Sequence, residues 1–144
     1  MSEELENRPK VGVGLLLIKD AKFVLLGKRK NAHGDGEYAG VGGHMEGLET
    51  FAATIMRELR EEIGDDIEIT EPEFLCLSNI RTYTPKHYVD IGMIAHWISG
   101  EPKVMEVDKI ESWDWYPIDS LPTPLFESPK NYIEALKSGQ SFFE

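Results

Sequence analysis

The segment from Gly43 to Gly64 constrains this chain more than any other, because it joins a glycine-rich loop to an acidic helix. Glu58, Glu61 and Glu62 are spaced i, i+3 and i+4, so a helix places them on one face. Carboxylates crowded on one face repel each other unless a cation lies among them, and Mg²⁺ is a hard cation that prefers oxygen ligands. A solvated acidic face without metal is the alternative interpretation.

The opposite face of the same segment is apolar at helical spacing. The residues on it are Phe51, Ala52, Ile55, Met56, Leu59 and Ile63. This pattern predicts a helix over residues 50–63 that is docked on a core, with Gly64 as its C-terminal stop. Docking would hold the three carboxylates in place, which favours the metal-binding interpretation.

The segment resembles the signature of the Nudix hydrolases, in which a glycine, a glutamate and an Arg-Glu-apolar-x-Glu-Glu-x-Gly run stand at fixed spacings. The matching residues are Gly43, Glu49, Arg57, Glu58, Leu59, Glu61, Glu62 and Gly64. Asp65 stands where the pattern has an apolar residue, and Ile67 is expected to take over its packing role. The resemblance implies one Nudix domain over residues 10–144, an α/β/α sandwich with a mixed β-sheet between helices.

The order of the predicted elements is strands, helix, strands, helix, which agrees with that fold. Strands are predicted over residues 11–18, 22–27, 73–79, 87–98 and 113–117. Asp20 and Ala21 form the predicted turn of the first hairpin, and residues 31–40 a glycine-rich loop. The second helix is predicted over residues 129–137, with Ser128 as its N-cap and Pro129 at its first position.

The resemblance also implies the metal-binding and catalytic roles. Glu58 and Glu62 are the strongest candidate ligands, and Glu61 follows them. Either Glu61 or Glu62 is also expected to help deprotonate the attacking water. The backbone carbonyl of Gly42 is expected to complete the metal shell. The expected ion is Mg²⁺, with Mn²⁺ as a substitute.

Two further pairs in the motif have structural roles by the same resemblance. Glu49 and Arg57 are expected to form an ion pair that fixes the loop to the helix; a surface pair between Arg57 and Glu61 is the alternative. Gly42 and Gly43 are expected to allow unusual torsions and a close approach to metal or substrate. Ordinary turn glycines are the alternative for these two residues.

A fourth acidic ligand often comes, in this family, from a loop before a late strand that contains tryptophan. Asp108, five residues before Trp113, is the candidate in this chain. Glu106 and Glu111 are its rivals, and a solvated loop charge is the alternative for all three.

Candidate substrate-binding residues lie outside the motif or in its loop. Arg29, in the basic run Lys28–Lys30, is suited to bidentate contact with a phosphate; a solubilising cluster is the alternative. Gly43 and His44 lie in the motif loop, and a protonated His44 is suited to contact phosphate. The remaining histidines, His33, His87 and His96, indicate no site.

The residues that contact the base are less well defined. Tyr83 and Phe126 stand where related nucleotide hydrolases contact the base, and both rings are suited to stack on it. Core packing is the alternative for Phe126.

The segments GKRK, GVGGHMEG and ESWDWYPIDSLP resemble the MutT-like branch that hydrolyses nucleoside triphosphates to nucleoside monophosphate and pyrophosphate, oxidised nucleotides included. The alternative within enzymes is a hydrolase of other nucleoside diphosphate derivatives, such as ADP-ribose or nucleotide sugars. A non-catalytic nucleotide-binding module is the alternative from another class. All the motif glutamates are present, which favours an enzyme.

The composition limits which binding partners and which cellular compartment are expected for this chain. A net charge of −11 argues against binding nucleic acid through phosphate contacts. No apolar run approaches membrane-spanning length, and residues 1–9, which are expected to be flexible, do not resemble a signal peptide. The single cysteine, Cys76, fits a buried packing role and a cytoplasmic location. The expected partner is a small-molecule nucleotide, no membrane is expected, and a homodimer stays open.

Overall fold

The computed structural model describes residues 7–144, which form a mixed sheet flanked by two helices. The strands are β1 (Lys10–Lys19), β2 (Phe23–Arg29), β3 (Tyr38–Ala39), β4 (Gly42–His44), β5 (Glu68–Ile69), β6 (Glu73–Ile80), β7 (Tyr88–Ser99), β8 (Ile110–Pro117) and β9 (Phe142–Phe143). The helices are α1 (Phe51–Ile63) and α2 (Glu127–Ser138). The predicted α/β/α sandwich is thereby confirmed. Most of the segment expected to be flexible, residues 1–9, lies outside the described residues.

Strand β1 is the centre of the sheet. It pairs in parallel with β7 from Lys10 to Ile18, and antiparallel with β2 and β4. Asp20 and Ala21 close the β1–β2 hairpin with left-handed φ angles of 53° and 57°, at the predicted turn. The pairing of β4 with β1 brings the glycine-rich loop onto the central strand.

Successive residues of β1 point to opposite faces of the sheet, and both faces are covered by a helix. Under α1 the core contains Val13, Leu15, Leu17, Ile55, Leu59, Ile63 and Ile67. Under α2 it contains Leu16, Ile18, Val24, Leu26, Cys76, Tyr132 and Ile133. The packing role expected for Ile67 and the buried position expected for Cys76 are both confirmed.

Helix α1 begins and ends through local contacts. The Thr50 side chain accepts a hydrogen bond from the Ala53 N–H at 3.0 Å, and a cap of this kind stabilises a helix by about 1 kcal/mol. At the other end Gly64, with φ 94°, donates its N–H to the Arg60 carbonyl at 3.1 Å. The helix therefore matches its prediction, with Thr50 as the cap.

Helix α2 begins earlier than predicted, at Glu127, and the expected N-cap role of Ser128 is wrong. The residue before the helix is Phe126, which makes no side-chain capping bond. Its N–H donates instead to the Tyr38 carbonyl at 2.9 Å. A backbone contact with β3 therefore fixes where this helix starts.

Tyr132 of α2 occupies space that two glycines of the sheet leave open. A Cβ on Gly14 would overlap the Tyr132 hydroxyl, and one on Gly92 would lie 2.6 Å from its ring. Both glycines therefore allow α2 to approach the sheet closely.

Neither helix of residues 7–144 combines the length and the apolar character that a membrane crossing needs.

Candidate active site

A cavity of about 600 Å³ opens where α1, β4 and the start of α2 meet, and this volume is typical of small-ligand sites. The residues that line it include Glu58, Glu61, Glu62, Gly42, Gly43, His44, Arg29, His33, Lys86, Tyr88, Asp90 and Phe126. We call the part formed by α1 and β4 the acidic end. The part formed by lining residues within 29–33, 86–90 and 126–132 is called the aromatic end.

Arg57 organises the acidic end. Its Nε donates to Glu49 at 2.8 Å and its Nη2 donates to the same carboxylate at 3.1 Å, so the ion pair is bidentate. Nη2 also donates to the His44 carbonyl at 2.8 Å, and Nη1 donates to Glu58 at 2.9 Å. The hydrogen bond from Arg57 lowers the pKa of Glu49 to about 2. One guanidinium thus joins loop and helix, and Glu61, at 3.4 Å, is its more distant partner.

Gly42 and Gly43 bring the backbone of β4 against the glutamates. A side chain on Gly43 would overlap the Glu58 carboxylate, and a Cβ on Gly42 would lie 2.8 Å from the Val13 carbonyl oxygen. Both glycines lie in a strand, and the positive φ angles fall on other glycines, so the expectation of unusual torsions is wrong. The Gly42 N–H donates to Glu62 Oε2 at 3.1 Å, while a metal-binding role for its carbonyl stays a prediction.

Glu62 is the most deeply buried acid of the three, with 7% of its surface exposed. Burial, together with the hydrogen bond to Glu58 and the charge of Glu58, raises the pKa of Glu62 well above its ordinary value. Like charges on neighbouring carboxylates repel, which disfavours the charged form of Glu62. A divalent cation bound between the two side chains would offset this repulsion.

The donor set of the acidic end fits a hard divalent cation, since Glu58, Glu61 and Glu62 present only carboxylate oxygens. Among residues 7–144, no three acidic or imidazole side chains already converge as a complete metal shell. The contacting pair Glu58 and Glu62 is therefore the preformed part of the site. The Glu61 side chain is 50% exposed and lines the same cavity as this pair.

The position predicted for a fourth acidic ligand needs correction. Asp108 is exposed and lies outside the cavity lining, with its backbone carbonyl accepting from Asn31 Nδ2 at 3.1 Å. Glu106, the named rival, is half-buried and lines the cavity. The Met105 N–H donates to the Glu62 carbonyl at 3.3 Å, which brings this segment to the end of α1. Of the candidates named for this role, Glu106 rather than Asp108 lines the cavity, as Glu46 also does; a fourth metal ligand stays a prediction.

Arg29 is the member of the predicted basic run that reaches the cavity. Its Nε donates to the His33 carbonyl at 3.0 Å, and its guanidinium lies 4.3 Å from the centre of the Phe126 ring. No group within residues 7–144 accepts a hydrogen bond from its two terminal nitrogens, so they remain available as donors. Lys28 instead lies 3.7 Å from Glu111 in a surface ion pair.

His33 and Lys86 line the cavity although no sequence motif indicated either residue. Lys86 Nζ lies 3.0 Å from His33 Nδ1. Burial and the charges of Arg29 and Lys86 lower the pKa of His33 to about 4, so the ring is neutral at neutral pH. The pKa of His44 is also lowered, by burial and by Lys10. The cationic contact with phosphate expected of His44 is therefore disfavoured.

Tyr83 and Phe126 stack on each other, with ring centres 4.4 Å apart and an angle of 8°. The Tyr83 hydroxyl donates to Glu37 at 2.7 Å and accepts from the Glu127 N–H at 2.9 Å. Phe126 lines the cavity, and Tyr83 lies behind it, outside the lining. Because Arg29 covers the other face of Phe126, the expected stacking of a base on these rings requires Arg29 to move.

Comparison with known proteins places the chain in one family. The family model described as the NUDIX domain matches residues 8–136. The crystal structure of a MutT NUDIX hydrolase from Burkholderia pseudomallei is 34% identical, with a TM-score of 0.80, and the match covers 88% of this chain and 97% of that one.

More distant similarities extend to a protein named for another substrate and to one bound to another ligand. The NAD-capped RNA hydrolase NudC of Pseudomonas aeruginosa is 27% identical over 118 residues, which are 82% of this chain; the chain spans 40% of the length of that relative. The NUDIX domain of Shewanella oneidensis NrtR, complexed with ADP ribose, is 22% identical with a TM-score of 0.74, over 96% of this chain and 93% of that one. This last likeness shows the shared fold.

Proposed function

The chain belongs to the Nudix hydrolase family, and we propose that it hydrolyses nucleoside triphosphates, canonical or oxidised, to nucleoside monophosphate and pyrophosphate with Mg²⁺. One observation carries the proposal. The half-buried Glu58 and the buried Glu62 lie at one end of a cavity whose other end contains the basic side chains Arg29 and Lys86. Such an arrangement suits a substrate with a polyphosphate chain and an attached organic group.

The metal would be held by Glu58 and Glu62, with Glu61 and Glu106 as the further carboxylates within the same cavity. When bound, a divalent cation offsets the charge of the phosphates and makes the attacking water more acidic. Mn²⁺ is expected to replace Mg²⁺, because both accept carboxylate oxygens.

The chain's own residues supply binding, orientation and proton transfer. Arg29 and Lys86 are proposed to hold phosphate oxygens, Arg29 through its terminal nitrogens. Arg57 orients the Glu58 carboxylate through its hydrogen bond at 2.9 Å. Glu61 or Glu62 takes a proton from water as the water oxygen bonds to phosphorus, and the anhydride P–O bond breaks to release pyrophosphate.

The proposal is tested with a substrate screen. Canonical and oxidised nucleoside triphosphates, diphosphates, ADP-ribose and nucleotide sugars are incubated with Mg²⁺, and the products are separated by chromatography. We expect monophosphate and pyrophosphate, with label from ¹⁸O-water in only one of them. Turnover should cease with excess EDTA and return with added Mg²⁺.

Four other results of this screen would contradict a specific part of the proposal. Primary release of orthophosphate and nucleoside diphosphate would overturn the proposed cleavage. Preference for ADP-ribose or a nucleotide sugar over every triphosphate would replace the substrate class. Binding of nucleotides without turnover in any condition would indicate a nucleotide-binding module, and full activity in EDTA would overturn the metal requirement.

A further inference from the structure

Asp90 is a buried acid in the cavity that the proposed hydrolysis does not use. It lies on β7, lines the aromatic end, and is 9% exposed. Its Oδ2 accepts a hydrogen bond from the hydroxyl of Tyr132 on α2, and Tyr132 is 2% exposed. One oxygen of the carboxylate is therefore fixed by a rigid partner.

The other oxygen, Oδ1, remains available to a ligand. Within residues 7–144 its carboxylate has no hydrogen bond besides the one from Tyr132. Among residues 7–144, the side-chain nitrogens of Trp113 and Trp115 are the polar atoms that are fully enclosed and lack a hydrogen-bond partner. Asp90 Oδ1 also lacks a partner but is not among them, so it is not fully enclosed. It is an acceptor that opens on the cavity.

No basic side chain of the described residues offsets the charge of Asp90. Burial raises its pKa to about 6, and the Tyr132 hydrogen bond only partly opposes this effect. The other titratable group near it is the Cys76 thiol on β6. A buried carboxylate without a cation needs hydrogen-bond donors, which solvent or a ligand bound in the cavity can supply.

The surroundings of Asp90 suit a flat ring. Gly12 lies beside it on β1, and a Cβ there would meet only Asp90 Oδ1 at 3.4 Å and the Gly43 carbonyl at 3.8 Å, so the floor is open. Tyr88, two residues before Asp90 on the same face of β7, also lines the cavity. The centre of the Tyr88 ring lies 6.0 Å from that of His33 and 5.6 Å from that of His44.

We propose that Asp90 selects the base of the nucleotide, with Oδ1 accepting a hydrogen bond from an amino group on a base that lies against Gly12 and Tyr88. An aromatic face stabilises the ring of any base, whereas a fixed carboxylate distinguishes an amino group from a keto oxygen. The proposal rests on the proposed function, because it requires that the cavity bind a nucleotide.

The variant Asp90→Asn tests the polarity of this contact. The amide oxygen can accept from the Tyr132 hydroxyl, and the amide nitrogen then faces the cavity. An acceptor is thereby exchanged for a donor of nearly the same shape. Asp114→Asn, at an exposed position on β8, is the matched control.

The measurement is kcat/KM for three substrate pairs that differ at an amino group: CTP against UTP, ATP against ITP, and GTP against ITP. We expect the wild type to prefer the amino-bearing member of at least one pair by about tenfold or more. Asp90→Asn should abolish or reverse that preference, while the dependence of rate on Mg²⁺ concentration stays unchanged. Asp114→Asn should match the wild type throughout.

The outcomes separate the two proposals. If the wild type hydrolyses no nucleotide, the proposed function fails. If it hydrolyses them but Asp90→Asn keeps every pair ratio within about twofold, the role of Asp90 fails alone. A changed ratio of ribonucleotide to deoxyribonucleotide with unchanged base ratios would assign Asp90 to the sugar and overturn the proposal.

A second variant, Gly12→Ala, should weaken binding of all bases by filling the floor, and unaltered KM values would contradict the assigned position of the ring.

Discussion

The two ends of the cavity are built in different ways. Nearly all of the acidic end comes from residues 42–62, a single stretch in which Arg57 contacts Glu49 and Glu58, and Glu62 contacts the Gly42 backbone. The aromatic end is assembled from the end of β2, the start of β7 and the start of α2, which lie far apart in the sequence. The acidic end can therefore be predicted from the sequence, whereas the residues of the aromatic end are brought together only by folding.

The two ends also differ in which groups offset the negative charge of their acidic side chains. Arg57 donates hydrogen bonds to Glu49 and Glu58, so the acidic end has its own cation. Asp90 at the aromatic end has one neutral donor, the Tyr132 hydroxyl. This difference predicts that variants of the acidic end change the rate, while variants of the aromatic end change stability and substrate preference.

The largest effect is expected at the acidic end. Glu62→Gln keeps the size of the side chain and removes a charge that the proposed metal site requires, so kcat should fall by roughly 10²-fold or more at saturating Mg²⁺. Steady-state kinetics measures this, with thermal melting to verify folding. Glu134→Gln, at an exposed position on α2, is the control and should leave kcat unchanged. A Glu62→Gln enzyme with wild-type kcat would remove the distinction between the two ends.

The second effect is a change of stability with pH at the aromatic end. The pKa of Asp90 is raised from 3.8 to about 6, so ionisation lowers the stability of the fold as pH rises through that interval. Asp90→Asn removes this loss. It should stabilise the protein by up to about 3 kcal/mol above pH 6 and by little at pH 4. Urea unfolding at pH 4 and pH 8 measures the difference, and an equal gain at both pH values would contradict it.

A smaller effect is expected for phosphate binding. Arg29→Lys keeps the charge but loses the planar, bidentate donor, so KM should rise by about tenfold with kcat little changed. Lys28→Ala is the control, because Lys28 pairs with Glu111 on the surface. A fall in kcat without a rise in KM would place Arg29 with the reacting groups of the acidic end instead.

The smallest effect is expected for a residue behind the cavity wall. Tyr83→Phe removes the hydrogen bonds to Glu37 and from the Glu127 N–H but keeps the ring on Phe126. Thermal unfolding should show a loss of about 1 kcal/mol. Relative kcat/KM values for different bases should stay the same, and a changed ranking would show that Tyr83 contacts the substrate after all.

The elements predicted correctly from sequence are those whose limits are set by neighbouring residues. Helix α1 is one of them, because its period, the Thr50 cap and the Gly64 stop lie within one segment. The start of α2 was mispredicted because a backbone bond from Phe126 to Tyr38, distant in sequence, defines it.

The same reasoning applies to the site. The family pattern and the spacing before Trp113 favour Asp108, whereas in the fold Glu106 lines the cavity and the N–H of its neighbour Met105 donates to the Glu62 carbonyl. Asp90 and His33 carry no local pattern, and their places follow from the register of β7 on β1 and the fold of the loop after β2.

The close contact of Tyr132 with Gly14 and Gly92 has a consequence for how this protein can change over evolution. Any side chain at either glycine must push α2 outward or rotate Tyr132 away from Asp90. Outward movement would deepen the aromatic end, and rotation would release the carboxylate. Under the proposed role of Asp90, one substitution beneath a helix would alter which substrates are accepted while the motif glutamates stay in place.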